Sequence, residues 1–205
     1  MAIGHVLFDA DGVLQELPGG WRERVRPYLG ERTEEFLELT WREEWPCLEG
    51  PTDYLPLLAR HLALFDVAVP AERFFYEVWC DLRVDVVSVA LVGALRARGL
   101  GVHLATNQEM HRSAYMRDAL GYDRLFEHSF YSYEVGHAKP SARFFESVLE
   151  RLDARGTEVL FIDDTAENVD AARRVGLRAE CWGLELGHDR LVGALRAHGV
   201  DVDLD

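Results

Sequence analysis

The alternation of short apolar runs with helix-period segments constrains this fold more than any other feature of the chain. In the second half, strands are predicted at residues 102–105, 129–133, 159–162 and 179–182, of which the first and third are mostly apolar, and segments with a helical apolar period separate them. Strands that alternate with helices pair in parallel, through right-handed crossovers. Together with a first run at residues 6–8, the sequence predicts an α/β fold with a doubly wound parallel sheet of five strands.

The first apolar run ends in two acids two positions apart, Asp9 and Asp11, and Gly12 follows directly. Because side chains alternate along a strand, the two carboxylates can point to the same side as the strand ends. Carboxylates held that close repel each other unless a cation lies between them or one keeps its proton. A hard cation such as Mg²⁺ fits this pair, and a pair of capping acids at a strand-to-loop turn is the alternative.

Residues 15–84 differ in character from the rest of the chain. They contain four of the five Trp and six of the seven Pro, and their apolar residues recur at helical spacing. Helix starts are predicted at Thr52-Asp53 and at Pro70-Ala71, and no strand is predicted in this span. We therefore predict a Rossmann-like core from residues 1–14 and 85–205, with residues 15–84 inserted as a small all-α, helical-bundle cap domain.

Charge and cysteine usage limit the partners and the compartment. A formal net charge of −14 argues against nucleic acid as a partner, because phosphate backbones are bound through basic surfaces. No apolar run reaches the roughly 18 residues of a membrane span, and no basic segment followed by an apolar one predicts secretion. Cys47, Cys80 and Cys181 are odd in number and lack metal-ligand spacing, which predicts free thiols in the cytoplasm.

Chemistry-bearing side chains follow four of the predicted strands, at the edge where doubly wound sheets bind ligands. They are Asp9 and Asp11 after the first strand, Thr106 and Asn107 after the second, Lys139 in the loop after the third, and Asp163 and Asp164 after the fourth. Acids favour a divalent cation, and Thr, Asn and Lys suit a phosphoryl group. Lys139 is also the only Lys among 22 basic residues, which hints at a site that needs a compact point charge.

Structural roles stay open for the same residues at this stage. Asp163 and Asp164 can cap a helix, Thr106-Asn107 can form an N-cap, and Lys139 can be a solvated loop residue.

Four short motifs, taken in order, resemble those of one family. They are Asp9-Ala10-Asp11-Gly12-Val13, the apolar strand that runs into Thr106-Asn107, Gly136-His137-Ala138-Lys139-Pro140, and Phe161-Ile162-Asp163-Asp164 with Asn168 after it. The chain resembles the haloacid dehalogenase-like superfamily, in its phosphatase branch with a helical cap inserted after the first strand. The resemblance covers residues 1–14 and about 85–185.

The resemblance implies roles for the first and last of these acids. Asp9 would be the nucleophile that takes the phosphoryl group as an aspartyl phosphate. Asp11 would protonate the leaving oxygen and then activate water as a general base. Mg²⁺ would be held by the Asp9 side chain, the Asp11 backbone carbonyl and Asp164.

The same resemblance implies a phosphoryl-binding set. Thr106 and the backbone at Asn107 would bind phosphoryl oxygens, and Lys139 would lie near both Asp9 and the phosphate. Asp163 would orient Lys139. Selectivity would reside in the cap, with Trp41, Arg42, Trp45 and the turn at residues 48–50 as candidates for contact with the leaving group.

The leading functional hypothesis is a Mg²⁺-dependent phosphatase acting on a small phosphomonoester. A phosphomutase of the β-phosphoglucomutase type would use the same chemistry. The dehalogenase branch needs no metal and lacks an acid at the position of Asp11, so Asp11 favours phosphoryl transfer. A phosphorelay receiver domain would present its acids, Thr and Lys in another order, and an inert phospho-binding module would hydrolyse nothing. The predicted partner is a small phosphorylated molecule, bound by a monomer or homodimer, with no membrane and no nucleic acid.

Overall fold

The computed structural model describes residues 2–202. In chain order, its strands and helices are β1 (His5–Phe8), β2 (Gln15–Glu16), α1 (Gly20–Leu29), α2 (Thr33–Glu43), α3 (Trp45–Leu48), α4 (Tyr54–Leu64), α5 (Ala71–Trp79), β3 (Arg83–Val84), α6 (Val86–Ala97), β4 (Gly101–Thr106), α7 (Met110–Asp118), α8 (Tyr122–Leu125), β5 (His128–Tyr131), α9 (Ser132–Val135), α10 (Ala142–Leu152), β6 (Val159–Asp163), α11 (Ala166–Arg174), β7 (Arg178–Cys181) and α12 (His188–Ala197). The last residues of the predicted core, 203–205, lie outside the described part.

The main sheet has five parallel strands in the order β5-β4-β1-β6-β7. The first strand lies in the centre, and the chain builds outward from it first on one side and then on the other. Phe8 at the end of β1 is opposite Leu104 of β4 and Ile162 of β6. The predicted doubly wound parallel sheet is confirmed, and this register brings the carboxyl ends of three adjacent strands to one level.

Both faces of the sheet are covered, which explains why its strands are nearly continuous apolar runs. Val6 and Phe8 point to the face covered by α6 and α12. Leu7 and Phe161 point to the opposite face, which is covered by α10 and α11. Because the polar groups of a strand end cannot be placed on either packed face, they are left at the carboxyl edge of the sheet.

Helices α1 to α5, called the helical segment below, pack around an apolar cluster of their own. Phe36, Phe74 and Tyr54 are fully buried in this cluster, and neighbouring aromatic rings meet edge to face, with 5.7 Å between the Phe36 and Phe74 centroids. The buried side chains of this cluster all come from residues 25–80. The helical segment therefore has a core separate from those of the sheet.

A two-stranded antiparallel ribbon, β2 with β3, lies where the chain leaves the sheet and where it returns. Gln15 pairs with Val84 and Glu16 with Arg83. The prediction that residues 15–84 contain no strand was therefore wrong. Two-residue strands carry too few side chains to show an alternating pattern, and their pairing depends on residues far apart in the chain.

Side-chain caps explain several of the helix boundaries. Asp53 accepts a hydrogen bond from the backbone nitrogen of Leu55 at 3.0 Å, and α4 begins directly after it, as predicted. Helix α5 begins at Ala71, directly after Pro70, which also confirms the predicted start.

No described helix is both long enough and apolar enough to cross a bilayer.

The third predicted strand, 129–133, extends too far. Strand β5 ends at Tyr131, and Ser132 begins a short helix. The Ser132 hydroxyl accepts a hydrogen bond from the Gln108 backbone nitrogen at 3.0 Å, which fixes the start of this helix against the end of β4. Gly136, with a φ of 83°, ends the helix and starts the loop that carries Lys139.

Candidate active site

Lys139 lies in the interior of the protein, between two carboxylates. Its side chain is 1% exposed, and its Nζ atom is 2.8 Å from Asp9 Oδ1 and 2.6 Å from Asp163 Oδ2. Burial alone would lower the pKa of Lys139, but the charges of Asp163 and Asp9 raise it above the usual value. The interpretation of Lys139 as a solvated loop residue is therefore wrong. A buried ammonium with two acidic partners is a fixed positive charge at the edge of the sheet.

The backbone of Lys139 is held by the side chain of Asn107. Asn107 Nδ2 donates to the Lys139 carbonyl at 2.8 Å, and Asn107 Oδ1 accepts from the Lys139 nitrogen at 2.8 Å. The amide therefore ties the loop after α9 to the end of β4. The Thr106 hydroxyl, one residue earlier, is buried and accepts a hydrogen bond from Gln108 Nε2 at 3.2 Å.

Asp163 is completely buried at the end of β6, and its oxygens have several donors. Besides Lys139, they accept from the Thr165 backbone nitrogen at 2.8 Å and from Asn168 Nδ2 at 3.0 Å. This network explains why Asn168 follows the two acids, and it fixes the oxygen that contacts Lys139.

Three acids from two strand ends form a cluster at this edge. Asp9, Asp163 and Asp164 each offer a carboxylate oxygen, and these oxygens lie within 4.8 Å of one another. Burial raises the pKa of Asp9 to about 7 and the pKa of Asp164 to about 6, and the nearby Asp163 charge adds to both increases. Oxygens gathered at this spacing fit a hard divalent cation, which would relieve their mutual repulsion.

Gly12 leaves the space that this cluster needs. A Cβ atom added at Gly12 would lie 2.2 Å from Asp164 Oδ2, and the φ of Gly12 is 76°, a conformation that favours glycine. The glycine of the first motif thus allows the backbone after Asp11 to approach Asp164, the acid that directly follows β6.

The Asp11 side chain does not join the cluster. Both of its oxygens are bound by Arg112, whose Nη1 is 2.5 Å from Oδ2 and whose Nη2 is 2.8 Å from Oδ1. Gln15 and Gln108 each donate a further hydrogen bond at 2.9 Å. Burial alone would raise the pKa of Asp11, but the charge and hydrogen bonds of Arg112 lower it overall.

The expectation that one cation lies between the Asp9 and Asp11 carboxylates is therefore wrong. Strand β1 ends at Phe8, and the backbone nitrogens of Val13, Leu14 and Gln15 all turn back toward the Ala10 carbonyl. Because the chain is no longer extended at Asp11, strand alternation does not govern where this side chain points. The positive charge next to Asp11 is a guanidinium.

Sequence reasoning did not find Arg112, which lies in the first turn of α7 and is buried. Glu109 caps this helix by accepting from the backbone nitrogens of His111 at 2.7 Å and Arg112 at 2.5 Å. Gln108 and Arg112 are four residues apart, so both side chains face the end of β4 and reach Asp11. That spacing after Thr106-Asn107 is the only local signal of a role for Arg112.

A cavity of about 470 Å³ lies between the helical segment and this edge of the sheet. Asp11, Asn107 and Arg112 are among the residues that line it on the side of the sheet. The residues from the helical segment are Trp21, Trp41, Glu44, Trp45, Leu48 and Trp79. The cavity therefore reaches Asp11 and Asn107 of the site, and four Trp side chains of the helical segment line it.

The predicted leaving-group candidates divide into two groups. Trp41, Trp45 and Leu48 line the cavity. Arg42 is exposed and pairs with Glu43, and Glu49 accepts a hydrogen bond from the Ala138 backbone nitrogen at 3.3 Å. The side chains of Arg42 and Glu49 lie outside the cavity lining.

The four motifs, their order and the acid cluster agree with one family, and the comparison of sequences decides it. Residues 3–176 match the haloacid dehalogenase-like hydrolase family. The chain belongs to the haloacid dehalogenase-like hydrolases. The resemblance noted in the sequence is thereby confirmed, as is the assignment to the hydrolases.

Named phosphatases are among the relatives of this haloacid dehalogenase-like hydrolase. Phosphatase MT3486 of Mycobacterium tuberculosis (strain CDC 1551 / Oshkosh) is 33% identical over 193 residues, which cover 87% of each chain. Sesquiterpene phosphatase astK of Aspergillus oryzae is 34% identical over 96 residues, which cover 47% of this chain and 49% of astK. The chain thus spans about half the length of astK in this match.

Solved structures of haloacid dehalogenase-like enzymes share the fold. BT-2542 of Bacteroides thetaiotaomicron, a HAD-family enzyme crystallised with magnesium and inorganic phosphate, matches with a TM-score of 0.72 at 22% identity. The match covers 87% of this chain and 93% of BT-2542.

Proposed function

We propose that this hydrolase is a Mg²⁺-dependent phosphatase that cleaves a small phosphomonoester through an aspartyl phosphate on Asp9. The observation that carries the proposal is the position of Lys139, buried against Asp9 beside a cluster of three acids. A carboxylate nucleophile needs nearby positive charge to meet an anionic phosphoryl group, and Lys139 supplies it. The names of the relatives MT3486 and astK support phosphatase chemistry.

The donor set at the carboxyl edge of the sheet suits the metal. The side chains of Asp9 and Asp164 and the backbone carbonyl of Asp11 would hold Mg²⁺, and Asp163 would keep Lys139 in place. When bound, the ion supplies positive charge that offsets the repulsion between the attacking carboxylate and the phosphoryl oxygens.

The proposed reaction has two steps on this chain's own carboxyl groups. In the first, an oxygen of Asp9 bonds to phosphorus while the bond to the leaving oxygen breaks, and Asp11 gives that oxygen a proton. In the second, Asp11 takes a proton from water, whose oxygen bonds to phosphorus as the Asp9–phosphorus bond breaks. Inorganic phosphate leaves, and both carboxyl groups return to their starting states.

The remaining residues would bind the phosphoryl group and exclude water. The Thr106 hydroxyl and the backbone nitrogen at Asn107 would donate to phosphoryl oxygens, and Lys139 would stabilise the charge that develops in transfer. Residues 15–84 would act as a cap domain over the core formed by residues 1–14 and 85–205. Closure of this cap would remove bulk water from the cavity during transfer.

Hydrolysis of p-nitrophenyl phosphate with Mg²⁺ or with EDTA tests the proposal. We expect Mg²⁺-dependent release of inorganic phosphate and nitrophenol in equal amounts. Asp9→Asn should lower kcat by at least about a thousandfold, because an amide is a poor nucleophile. Asp11→Asn should lower kcat by about a hundredfold or more and leave substrate binding intact.

Asp118→Asn is the matched control, since Asp118 is exposed at the end of α7 and away from the site. Its kcat should equal that of the unmodified protein. Full activity in Asp9→Asn would remove the covalent mechanism. Transfer of the phosphoryl group to a sugar with little release to water would indicate a phosphomutase, and absence of any Mg²⁺-stimulated turnover would overturn the proposal.

A further inference from the structure

Tryptophan rings make up most of the cavity wall that the helical segment contributes. Four of the five Trp of the chain line it, whereas Trp182 is buried in the core of the sheet. Trp41 and Trp45 lie at the end of α2 and the start of α3, four residues apart. Within residues 2–202, neither ring stacks on another ring or on a cation. Trp41 packs in part against the apolar cluster of the helical segment, Trp45 is 45% exposed, and both line the cavity.

Glu44 lies between these two rings in the sequence and also lines the cavity. Its backbone is helical, with a φ of −78°, so Trp41, Glu44 and Trp45 project from one side of the chain at helical spacing. In the part of the chain that the structure describes, its carboxyl group has no hydrogen-bond or ion-pair partner. Burial raises the pKa of Glu44 to about 8, since an unpaired charge is poorly solvated there.

Among the other charges around the cavity, that of Arg112 lowers the pKa of Glu44, but by less than burial raises it. Arg112 is the cation in the lining, and both of its terminal nitrogens are bound to Asp11. Glu109 adds a second carboxylate, which is bound by backbone nitrogens at the start of α7. Arg112 and Asp11 form an ion pair, so a cation bound beside Glu44 would be the partner that favours its ionised form.

The chemistry of the wall is that of a site for an organic cation. Tryptophan faces attract ammonium and guanidinium groups, most strongly where water is excluded. One ring of this wall already does so, because the Arg112 Cζ atom lies 5.2 Å from the centre of the Trp21 ring. A cation bound beside Trp41 and Trp45 would lower the pKa of Glu44, and the resulting carboxylate would add a countercharge to this attraction.

We infer that the substrate's leaving group carries an ammonium, so that the substrates are phosphomonoesters of short amino alcohols. The phosphoryl group lies at Asp9, and the ammonium, primary to quaternary, lies against Trp41 and Trp45 with Glu44 as its countercharge. This inference rests on the proposed phosphatase function. An apolar leaving group would leave Glu44 unpaired, and a sugar would find Glu44 as the single hydrogen-bond-accepting side chain on the wall of the helical segment, beside indole N–H donors.

A pair of isosteric substrates isolates the charge of the leaving group. Choline phosphate and 3,3-dimethylbutyl phosphate have the same shape, with a trimethylammonium in one and a tert-butyl group in the other. With Mg²⁺ present, kcat/KM for choline phosphate should exceed that for the neutral isostere by at least about tenfold. Ethanolamine phosphate should also exceed the neutral isostere.

A variant of Glu44 and a control variant of Glu38 test whether Glu44 causes the preference for the charged leaving group. Glu44→Gln should reduce the ratio of the two kcat/KM values at least about threefold, mainly through KM for choline phosphate. Glu38→Gln is the matched control, because Glu38 is an exposed residue of α2 outside the cavity. Its ratio should equal that of the unmodified protein.

The outcomes separate this inference from the proposed function. If p-nitrophenyl phosphate is hydrolysed but the isosteres react equally, or glucose 6-phosphate is preferred to both, the cation site is wrong and the phosphatase proposal stands. If no phosphomonoester is hydrolysed, the phosphatase proposal fails. In that case choline and 3,3-dimethylbutanol are titrated against tryptophan fluorescence, and equal responses to the two alcohols overturn the cation site as well.

Discussion

Arg112 binds Asp11 with both ends of its guanidinium, at 2.5 and 2.8 Å, and donates its Nε hydrogen to the Trp79 carbonyl at 2.8 Å. Trp79 is the last residue of α5, so one buried side chain links the proposed acid–base residue to the helical segment. Arg112 lowers the pKa of Asp11, although it belongs to none of the family's four motifs.

We expect Arg112 variants to lose activity even where charge is kept. Arg112→Lys and Arg112→Met should each lower kcat/KM for p-nitrophenyl phosphate by at least about tenfold. The Lys variant loses activity because an ammonium cannot bind both Asp11 oxygens, and the Met variant loses more because it also lacks the charge. Without the guanidinium, burial raises the pKa of Asp11. Because Asp11 must carry a proton in the first step, the alkaline limb of the kcat/KM–pH profile should move to higher pH in Arg112→Met.

Arg143→Lys provides the control for this series, since Arg143 is exposed on α10 and its nearest acid, Glu146, is 3.6 Å away. Steady-state kinetics across the pH range measure both effects. Unchanged kcat and an unchanged pH profile in Arg112→Met would show that the ion pair has no part in catalysis.

Lys139 should also determine stability. Lys139→Met leaves Asp9 and Asp163 without their common partner, and removing one member of a buried ion pair costs about 3–5 kcal/mol. Urea unfolding without Mg²⁺ measures the loss. Arg174→Met removes an exposed positive charge on α11 and should cost less than about 0.5 kcal/mol. Equal stability of Lys139→Met and Arg174→Met would contradict a structural ion pair at this position.

The positions of Asp9, Thr106 and Asp163 could be predicted because each directly follows a run of buried apolar residues or ends it. The parallel register then brings these strand ends together, since Phe8 is opposite both Leu104 and Ile162. The only Lys of the chain stood out by composition, and the buried ion pairs explain why that position needs a compact ammonium.

The direction of the Asp11 side chain and the role of Arg112 could not be predicted, and the reason is the same for both. Asp11 lies in a turn, where no periodic rule fixes orientation, and its partner is 101 positions away. Nothing local distinguishes Arg112 from the other arginines of the chain. Glu44 is a similar case: its significance comes from lacking a partner, which only the folded structure reveals.

Gly12 gives a prediction about metal affinity. Gly12→Ala would place a methyl group 2.2 Å from Asp164 Oδ2 and should displace that acid, raising the Mg²⁺ concentration for half-maximal activity at least about tenfold. Gly136→Ala is a close control, because Gly136 also has a positive φ, 83°, but an added Cβ meets nothing within 4 Å. Both variants should lose roughly 1 kcal/mol of stability from backbone strain. Equal Mg²⁺ dependence in the two variants would contradict a role for Asp164 as a ligand.

His103, in the interior of strand β4, should make the stability of the protein sensitive to acid. It is fully buried in β4, its Nε2 atom is 3.1 Å from His5 Nδ1, and its ring stacks on His128. Burial lowers the pKa of His103 from 6.5 to about 3, with smaller contributions from His5 and His128. Because the unfolded chain binds this proton more readily, the stabilisation is complete above pH 6.5 and is lost as the pH falls toward 3.

His103→Phe should therefore flatten the pH dependence of stability. Between these two pH values, the unmodified protein should lose up to about 1.4 kcal/mol more per pH unit than the variant, since one proton is taken up on unfolding. A phenyl ring keeps the aromatic contacts with Phe130 and His128 but cannot be protonated. Urea unfolding at several pH values measures the two slopes. If His103→Phe loses stability with acid as steeply as the unmodified protein, the sensitive group lies elsewhere in the chain.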